Sequence, residues 1–541
     1  MRVPLGGRRV RGYVVGHAEE AKGPLKPIAG VSGDLPVFDE PLLGVLRWVS
    51  DHYVAPLSVV LEKSAPPNNP ILSGPPDEQP ASSRAVKASA PPLALVQRWG
   101  VGNWVAGVRN TLKSGRSSMV VVATVTEANQ VSSRLETETE SEVLLLTGDT
   151  PDADATRIWM LAATKPGVVL VGTPRVVLWP VARLGSIVVI EEARRAMKER
   201  QTPTIHVREV VLQRAKAHGA RAVFVGPTPS VELAGADAEL QVREGRVWPP
   251  VEIIDRSEEA PGGPLITERA QISIRRVLAR EGRVLVFTHR RGYAAATRCV
   301  ACGTLRRCPS CGSRPGPGES CERCGAALGG CVQCGGRRFE ALGAGVGRVN
   351  QELSRVLGDD ADDDGKVQIV TERDLPTVEA VDLAIAVDLD GLLYAPHFRA
   401  AEEALRVMVR VAGRLRQSGS RLMIQTTSPE HPVSLALTKG DPVDFLRHEM
   451  ETRREAGYPP VGDLVVLEIR GDEIDPSSVD EELRALSGEM MIMGPAVRDE
   501  GARWLVQGDN LQPLLKDLRN LIQQWRDRGM VVRVDVDPID L

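Results

Sequence analysis

All eight cysteines of the chain lie between Cys299 and Cys334, arranged as four C-x-x-C pairs: Cys299/Cys302, Cys308/Cys311, Cys321/Cys324 and Cys331/Cys334. A C-x-x-C turn aims two thiolates at one point, and two such turns complete the tetrahedral shell of a zinc ion. Four turns therefore supply two closed four-cysteine sites with no ligand left over. Closed sites lack an open coordination position, so the metal is expected to be structural and not catalytic. A disulfide staple is the competing reading; it needs an oxidising compartment, and cytosolic clusters of this spacing are more often metal sites. The span from Cys302 to Cys308 is tight for folding one turn back onto the next. Nesting avoids this, with Cys308, Cys311, Cys321 and Cys324 on an inner ion and Cys299, Cys302, Cys331 and Cys334 on an outer one; sequential pairing is the alternative. Arg298, Arg306, Arg307, Arg314, Arg323, Arg337 and Arg338 accompany the cysteines, against only Glu319 and Glu322. A zinc ion held by four thiolates is formally dianionic, so charge alone assigns these arginines equally to compensation or to nucleic-acid contact.

A second basic concentration opens the chain. Arg2, Arg8, Arg9 and Arg11 alternate around Gly6, Gly7 and Gly12, a pattern that reads as a hairpin. The net charge is −4, so nucleic-acid binding has to come from local patches of this kind and not from a global field. As a hairpin alone it could equally be a solvated edge. A helix follows, with Asp39 as N-cap and Leu42, Leu43, Leu46 and Val49 at helical spacing. Trp48 and Tyr53 on that helix read as core.

At 541 residues the chain should hold about three or four domains. Nowhere is there a run of about 18 apolar residues or an apolar leader segment, so the expectation is a cytoplasmic protein with no membrane partner. Residues 71–92, rich in Pro, Ala and Ser, read as a linker. Beyond it, apolar β-branched runs alternate with helical segments: Leu93–Val96, Met119–Ala123, Val143–Leu146, Val168–Val171, Ile187–Ile190 and Ala222–Val225. A second series holds Val284–Phe287, Val367–Val370, Leu383–Val387 and Leu422–Gln425, and the cysteine module interrupts it. Continuous hydrophobicity marks strands buried on both faces, hence parallel α/β sheets. After Tyr458-Pro459-Pro460 an α+β segment runs to Leu541, with a strand at Val531–Val536.

Two consecutive α/β domains suggest a paired nucleotide motor, which needs a Gly-rich phosphate cradle carrying Lys and Ser/Thr. The only Gly-Lys dipeptide is Gly365-Lys366, followed by Val367. Where the cradle should open a helix stands Trp99-Gly-Val-Gly-Asn-Trp104-Val-Ala-Gly, without Lys. This reads as a motor scaffold without its engine.

These residues resemble the PriA family of replication restart proteins (primosomal protein N′), over nearly the whole chain. Arg2-Val-Pro-Leu-Gly-Gly-Arg resembles the family's RVPFG-x-R, and Arg47-Trp48-Val-Ser-Asp-His-Tyr53 its W-x-x-x-Y-Y helix. Thr288-His-Arg-Arg-Gly-Tyr293 followed by four C-x-x-C pairs is the most specific match. Val171-Gly-Thr-Pro-Arg175, His397-Phe-Arg-Ala-Ala-Glu402, Val411-Ala-Gly-Arg414 and Tyr458-Pro-Pro460 continue it. The resemblance implies two RecA-like helicase lobes, here degenerate, with a double zinc-ribbon-like insert that nests its two sites in the second lobe. It further implies a small N-terminal β-rich DNA-binding domain and a C-terminal α+β domain. The expected boundaries are 1–70 for the N-terminal domain, 93–255 and 256–450 for the lobes, 299–334 for the zinc module and 451–541 for the C-terminal domain.

The implied activity is recognition of abandoned replication forks, partly through a pocket for a 3′ end, and reloading of the replicative helicase with other primosome proteins. The expected ligands are forked or single-strand/double-strand junction DNA and two zinc ions. The sequence departs from the family's motor pattern at each station. The cradle lysine is absent, and DEEH reads Ile190-Glu191-Glu192-Ala193. SATPS reads Gly226-Pro-Thr-Pro-Ser230, and QVAGRAGR ends in Arg414-Leu-Arg416-Gln417. Losing the cradle and the terminal arginine removes most of the electrostatic stabilisation of phosphoryl transfer. No nucleotide site is therefore expected. The family also has a strand before RVPFG that this chain lacks, which predicts a halved 3′-end pocket or a misassigned start. The short linker leaves no room for a winged helix. A non-enzymatic fork-binding scaffold is the expectation; an ATP-dependent 3′–5′ helicase with an unconventional nucleotide site is the alternative.

Overall fold

The computed structural model describes the chain except residues 6–7, 17–27, 32–34, 70–89, 99, 101–102, 260–262, 290–295, 303, 311–314, 316–317, 322–324, 343–344, 358–364, 396, 417–418, 472–474, 487–489, 499–500 and 540–541, and gives the backbone alone at 2, 4, 5, 8, 9, 296, 340–342 and 498. It divides into two units, Met1–Val242 with Glu449–Leu541, and Arg243–His448.

In the first unit, strands Arg2–Leu5 and Arg8–Arg11 form an antiparallel hairpin with Arg2 opposite Arg11 and Pro4 opposite Arg9. Helix Glu40–His52 follows, and the Asp39 carboxylate accepts from the Leu42 amide at 2.8 Å, satisfying a donor that the first helical turn leaves without a partner. Seven strands then build a sheet in the order Val143–Leu146, Val169–Gly172, Ser117–Val121, Leu184–Ile190, Arg221–Gly226, Leu93–Val96 and Glu239–Val242. Every pairing in it is parallel. The continuous apolar runs have their explanation here. Met119 and Val121 face one core and Val120 and Val122 the other, so no position on the strand meets water.

The C-terminal segment of this unit is an antiparallel sheet in the order Met491–Arg498, Gly501–Gly508, Asp463–Arg470 and Val531–Val536, with helices Pro476–Arg484 and Gln512–Asp527. The sequence pattern marked only the last of these strands. Trp504, Trp525 and Val534 join Leu46, Val49, Met119 and Ile187 in one apolar cluster. The two ends of the chain therefore share a core with the first sheet.

In the second unit, five parallel strands run in the order Val251–Asp255, Arg421–Thr426, Leu383–Ala386, Val284–Phe287 and Val367–Val370. Strand Val251–Asp255 pairs with Arg421–Thr426 along its full length, so residues that the sequence pattern appends to the first α/β series sit in the second sheet. The cysteine module leaves this sheet after Val284–Phe287 through an antiparallel neck, Ala296–Cys299 against Phe339–Leu342. Among the described residues, no helix is long and apolar enough to cross a membrane.

Candidate metal centre and charged sites

The neck fixes the first quartet. Its register sets Cys299 opposite Phe339, which brings the start of the module against its last C-x-x-C turn. The Cys331 amide donates to the Gly336 carbonyl at 2.8 Å, and the Gly335 amide donates back to the Cys331 carbonyl at 2.8 Å. Gly335 sits at φ +71, a left-handed conformation that any Cβ would strain, so the turn requires glycine after Cys334. The Sγ atoms of Cys299 and Cys334 lie 3.5 Å apart and those of Cys302 and Cys331 3.6 Å. All four lie within 4.8 Å of one another. A tetrahedron with metal–sulfur bonds of about 2.3 Å has sulfur–sulfur edges of about 3.8 Å, so the quartet has the dimensions of a zinc shell.

These four are the outer set of the nested arrangement. Of the inner set, Cys308 and Cys321 are buried, each at 2% exposure. Cys311 and Cys324 lie outside the described residues.

The arginines of the module divide by role. Arg306 lies over the Phe339 ring at 4.2 Å and donates to the Gly318 carbonyl at 2.9 Å, so it braces the module. Arg307, Arg337 and Arg338 are exposed. Arg314 and Arg323 lie outside the described residues.

At the N terminus, Arg11 donates to the carbonyls of Pro66 at 3.0 Å and Pro67 at 3.3 Å and to Asn69 Oδ1 at 3.3 Å. Its guanidinium latches the hairpin to the end of the N-terminal segment. Arg2, Arg8 and Arg9 are placed by the backbone of the same hairpin.

The motor stations hold a different chemistry. Helix Trp104–Lys113 follows strand Leu93–Val96, as a cradle helix would. Its first residue, Trp104, is buried at 2% exposure under the Arg134 guanidinium, 5.3 Å from the ring centre. Glu192, in the DEEH position, is enclosed. It accepts from the Ser230 amide at 2.7 Å and from Arg208 Nη1 at 3.2 Å. Arg208 also meets Glu209 at 2.8 Å and Glu232 at 3.8 Å. Glu232 in turn binds Arg453 at 2.9 Å, and Arg453 binds Glu449 at 3.1 Å and the Pro459 carbonyl at 3.2 Å. Burial opposes charge on Arg208, but Glu209, Glu232 and Glu192 outweigh it and raise its pKa. Glu191 faces Arg194 at 3.6 Å, and Arg194 also pairs with Glu127 at 2.5 Å. Both glutamates thus face arginines of their own unit. Tyr458-Pro459-Pro460 serves the same web, through the Pro459 carbonyl.

In the second unit, Arg406 and Arg410 share Glu372 at 2.8 and 3.0 Å, and Arg416 pairs with Asp382 at 2.7 Å. Arg399 faces Glu402 at 3.5 Å. Gln417 lies outside the described residues. Arg208, Glu232, Glu449 and Arg453 gave no signal in the sequence, because each completes its environment only across the fold.

A family model described as the 3'DNA-binding domain (3'BD) of PriA matches residues 1–66. The chain is 24% identical to the replication restart protein PriA of Treponema pallidum, over 99% of this chain and 94% of that protein. Over nearly its whole length, the chain is similar to the replication restart proteins PriA. It is 26% identical to PriA of Bacillus subtilis, over 80% of this chain and 62% of that protein, and 24% identical to PriA of Synechocystis, over 80% and 60%. It thus spans about three fifths of the length of these last two PriA proteins. The matched PriA segment contains the hairpin, helix Glu40–His52 and helix Leu57–Ser64. Among solved structures, RecG bound to a three-way DNA junction aligns with 67% of this chain and 44% of that one, at 10% identity and a TM-score of 0.38.

Proposed function

We propose that this chain is a replication restart protein that binds forked DNA and single-strand/double-strand junctions. It gathers primosome proteins and the helicase-loading machinery there, without ATP-driven unwinding. The family match and the 3' DNA-binding segment at residues 1–66 support the DNA reading. The state of Glu192 carries the reading of a silent motor. The metal-binding position of DEEH is Ile190, Glu191 faces Arg194 at 3.6 Å, and Glu192 is enclosed between Arg208 and the Ser230 amide, so both glutamates that remain are committed to partners within the fold. No lysine stands between Leu93 and Val108, so the segment lacks the residue that meets the β- and γ-phosphates in a cradle of this type.

Two zinc ions serve the scaffold in this reading. Cys299, Cys302, Cys331 and Cys334 hold one, and Cys308, Cys311, Cys321 and Cys324 the other. The ions supply cross-links that a small module with little core cannot make otherwise. In this reading the N-terminal segment 1–70, the two α/β lobes, the second of which takes strand Val251–Asp255, and the C-terminal segment 451–541 serve one cytoplasmic protein.

The test is fork binding with and without a free 3′ end, with ATP turnover measured on the same sample. Tight fork binding without turnover is the expected result. DNA-stimulated hydrolysis that an Arg414→Ala, Arg416→Ala double variant abolishes would restore the helicase reading.

A further inference from the structure

The cysteine module carries a cavity of about 160 Å³ that borders its thiol cluster at Cys331. Leu305, Pro309, Leu328, Val332 and Phe339 line it, and Arg307 stands at its edge. Val332, the second residue of the Cys331-x-x-Cys334 turn, is 78% exposed, and Val300, at the same place in the Cys299-x-x-Cys302 turn, is 48% exposed. Two metal-type turns therefore present valines to water, although a turn tip gains nothing from an apolar side chain. Apolar residues gathered in the open around a concave site mark a surface that something covers.

The surroundings choose the occupant. Arg306 and the exposed Arg307 line the apolar slot, and Arg306 already lies on the Phe339 ring, closing one wall with a flat π surface. An apolar slot beside the exposed Arg307 guanidinium matches an unstacked base whose flanking phosphate meets that arginine. The slot is too small for a folded ligand, and its carbonyls at Leu328 and Gly329 already accept from Arg306, which takes two acceptors away from reading base identity. We infer that this cavity takes one unstacked nucleobase of single-stranded DNA, without sequence preference. The inference rests on the DNA-binding reading above and adds to it a second contact, remote in sequence from residues 1–66.

The test uses the full zinc-loaded chain and fluorescence anisotropy with three probes: oligothymidylate, an abasic strand of equal length, and a blunt duplex. The chain should bind oligothymidylate about tenfold more tightly than the abasic strand, as base stacking on a protein surface provides. Val332→Asp, at an exposed position, should remove most of that difference while zinc content and duplex binding stay unchanged. Arg307→Ala should instead keep the difference and flatten the single-strand salt slope by about 0.7. An unchanged difference in Val332→Asp overturns the proposal, as does equal binding of the two single strands by the unaltered chain. Loss of a protein partner in Val332→Asp with base dependence intact would assign the slot to a protein side chain and overturn it too. Failure of the unaltered chain to bind forks at all would refute the DNA reading itself, a separate outcome.

Discussion

Replacing Asp537 by Asn removes one charge from the junction of the N-terminal helix and the C-terminal sheet while keeping the side-chain shape. Asp537 sits at φ +54, just past strand Val531–Val536, and Asn tolerates that left-handed conformation as Asp does, so backbone strain is held constant. Asp537 Oδ2 meets His52 Nε2 at 2.9 Å, and His52 Nδ1 meets Gln512 at 2.7 Å. The imidazole stacks on Trp48 at 4.7 Å. Burial pushes His52 toward its neutral form, but Asp537 outweighs burial and raises its pKa. Burial likewise opposes charge on Asp537, but His52, Lys198 and Arg208 outweigh it and hold the carboxyl down at about 2.

The two signs bound a window. The His52 contribution is complete below its ordinary 6.5 and is lost as pH rises through the higher folded value. The Asp537 contribution is complete above its ordinary 3.8 and is lost as pH falls toward 2. The junction is therefore tightest between about pH 4 and about pH 6.5. Removing one partner of a fully buried pair costs about 3–5 kcal/mol. Here the side chains are 10% and 22% exposed, which places the loss nearer about 2 kcal/mol. Urea unfolding followed by tryptophan fluorescence, at about pH 6 and about pH 8, reads it. The natural chain should lose stability between the two, whereas Asp537→Asn should be weaker by about 2 kcal/mol at the lower pH and vary less with pH. If Asp537→Asn keeps the natural pH slope, His52 does not titrate against Asp537 and the argument fails.

Three further outcomes follow from the same geometry. Glu192→Ala should cost about 3 kcal/mol, because Arg208 and the Ser230 amide lose a buried acceptor; an unchanged urea midpoint would mean that Glu192 is not part of the supporting web. Chelation should unfold residues 299–334 while the first unit keeps its own transition, and Cys308→Ser should release one zinc and leave the ion of Cys299, Cys302, Cys331 and Cys334, counted by metal analysis. Arg8→Ala and Arg9→Ala should each lower the log–log salt slope of fork binding by about 0.9, whereas Arg11→Ala should cost about 1 kcal/mol of stability with little change in slope, since its guanidinium is bonded to Pro66, Pro67 and Asn69.

The elements of this protein were legible because their causes are local. Strands buried on both faces write unbroken apolar runs, as in Val284–Phe287 and Met119–Ala123, and a helix start writes its cap, as Asp39 does before Glu40–His52. Cysteines at C-x-x-C spacing likewise announce a cluster able to hold metal, since the turn itself sets the thiol separation. Which turns come together is another matter. Cys299 reaches Cys334 because the neck pairs Cys299 with Phe339, a register set by two strands forty positions apart in the chain. In the C-terminal strands Met491–Arg498 and Gly501–Gly508, small and polar residues interrupt the apolar faces, whereas Asp463–Arg470 carries a legible apolar run at Leu464–Leu467; the shared core with Trp504 and Trp525 joins all three to the fold. The fate of Glu192 was the least legible. Its sequence neighbours show a damaged motor motif, but its partners Arg208 and Ser230, and through Glu232 the distant Arg453, are chosen by packing. A buried charge must find compensation wherever the fold supplies it, and that position has no signature in the order of residues.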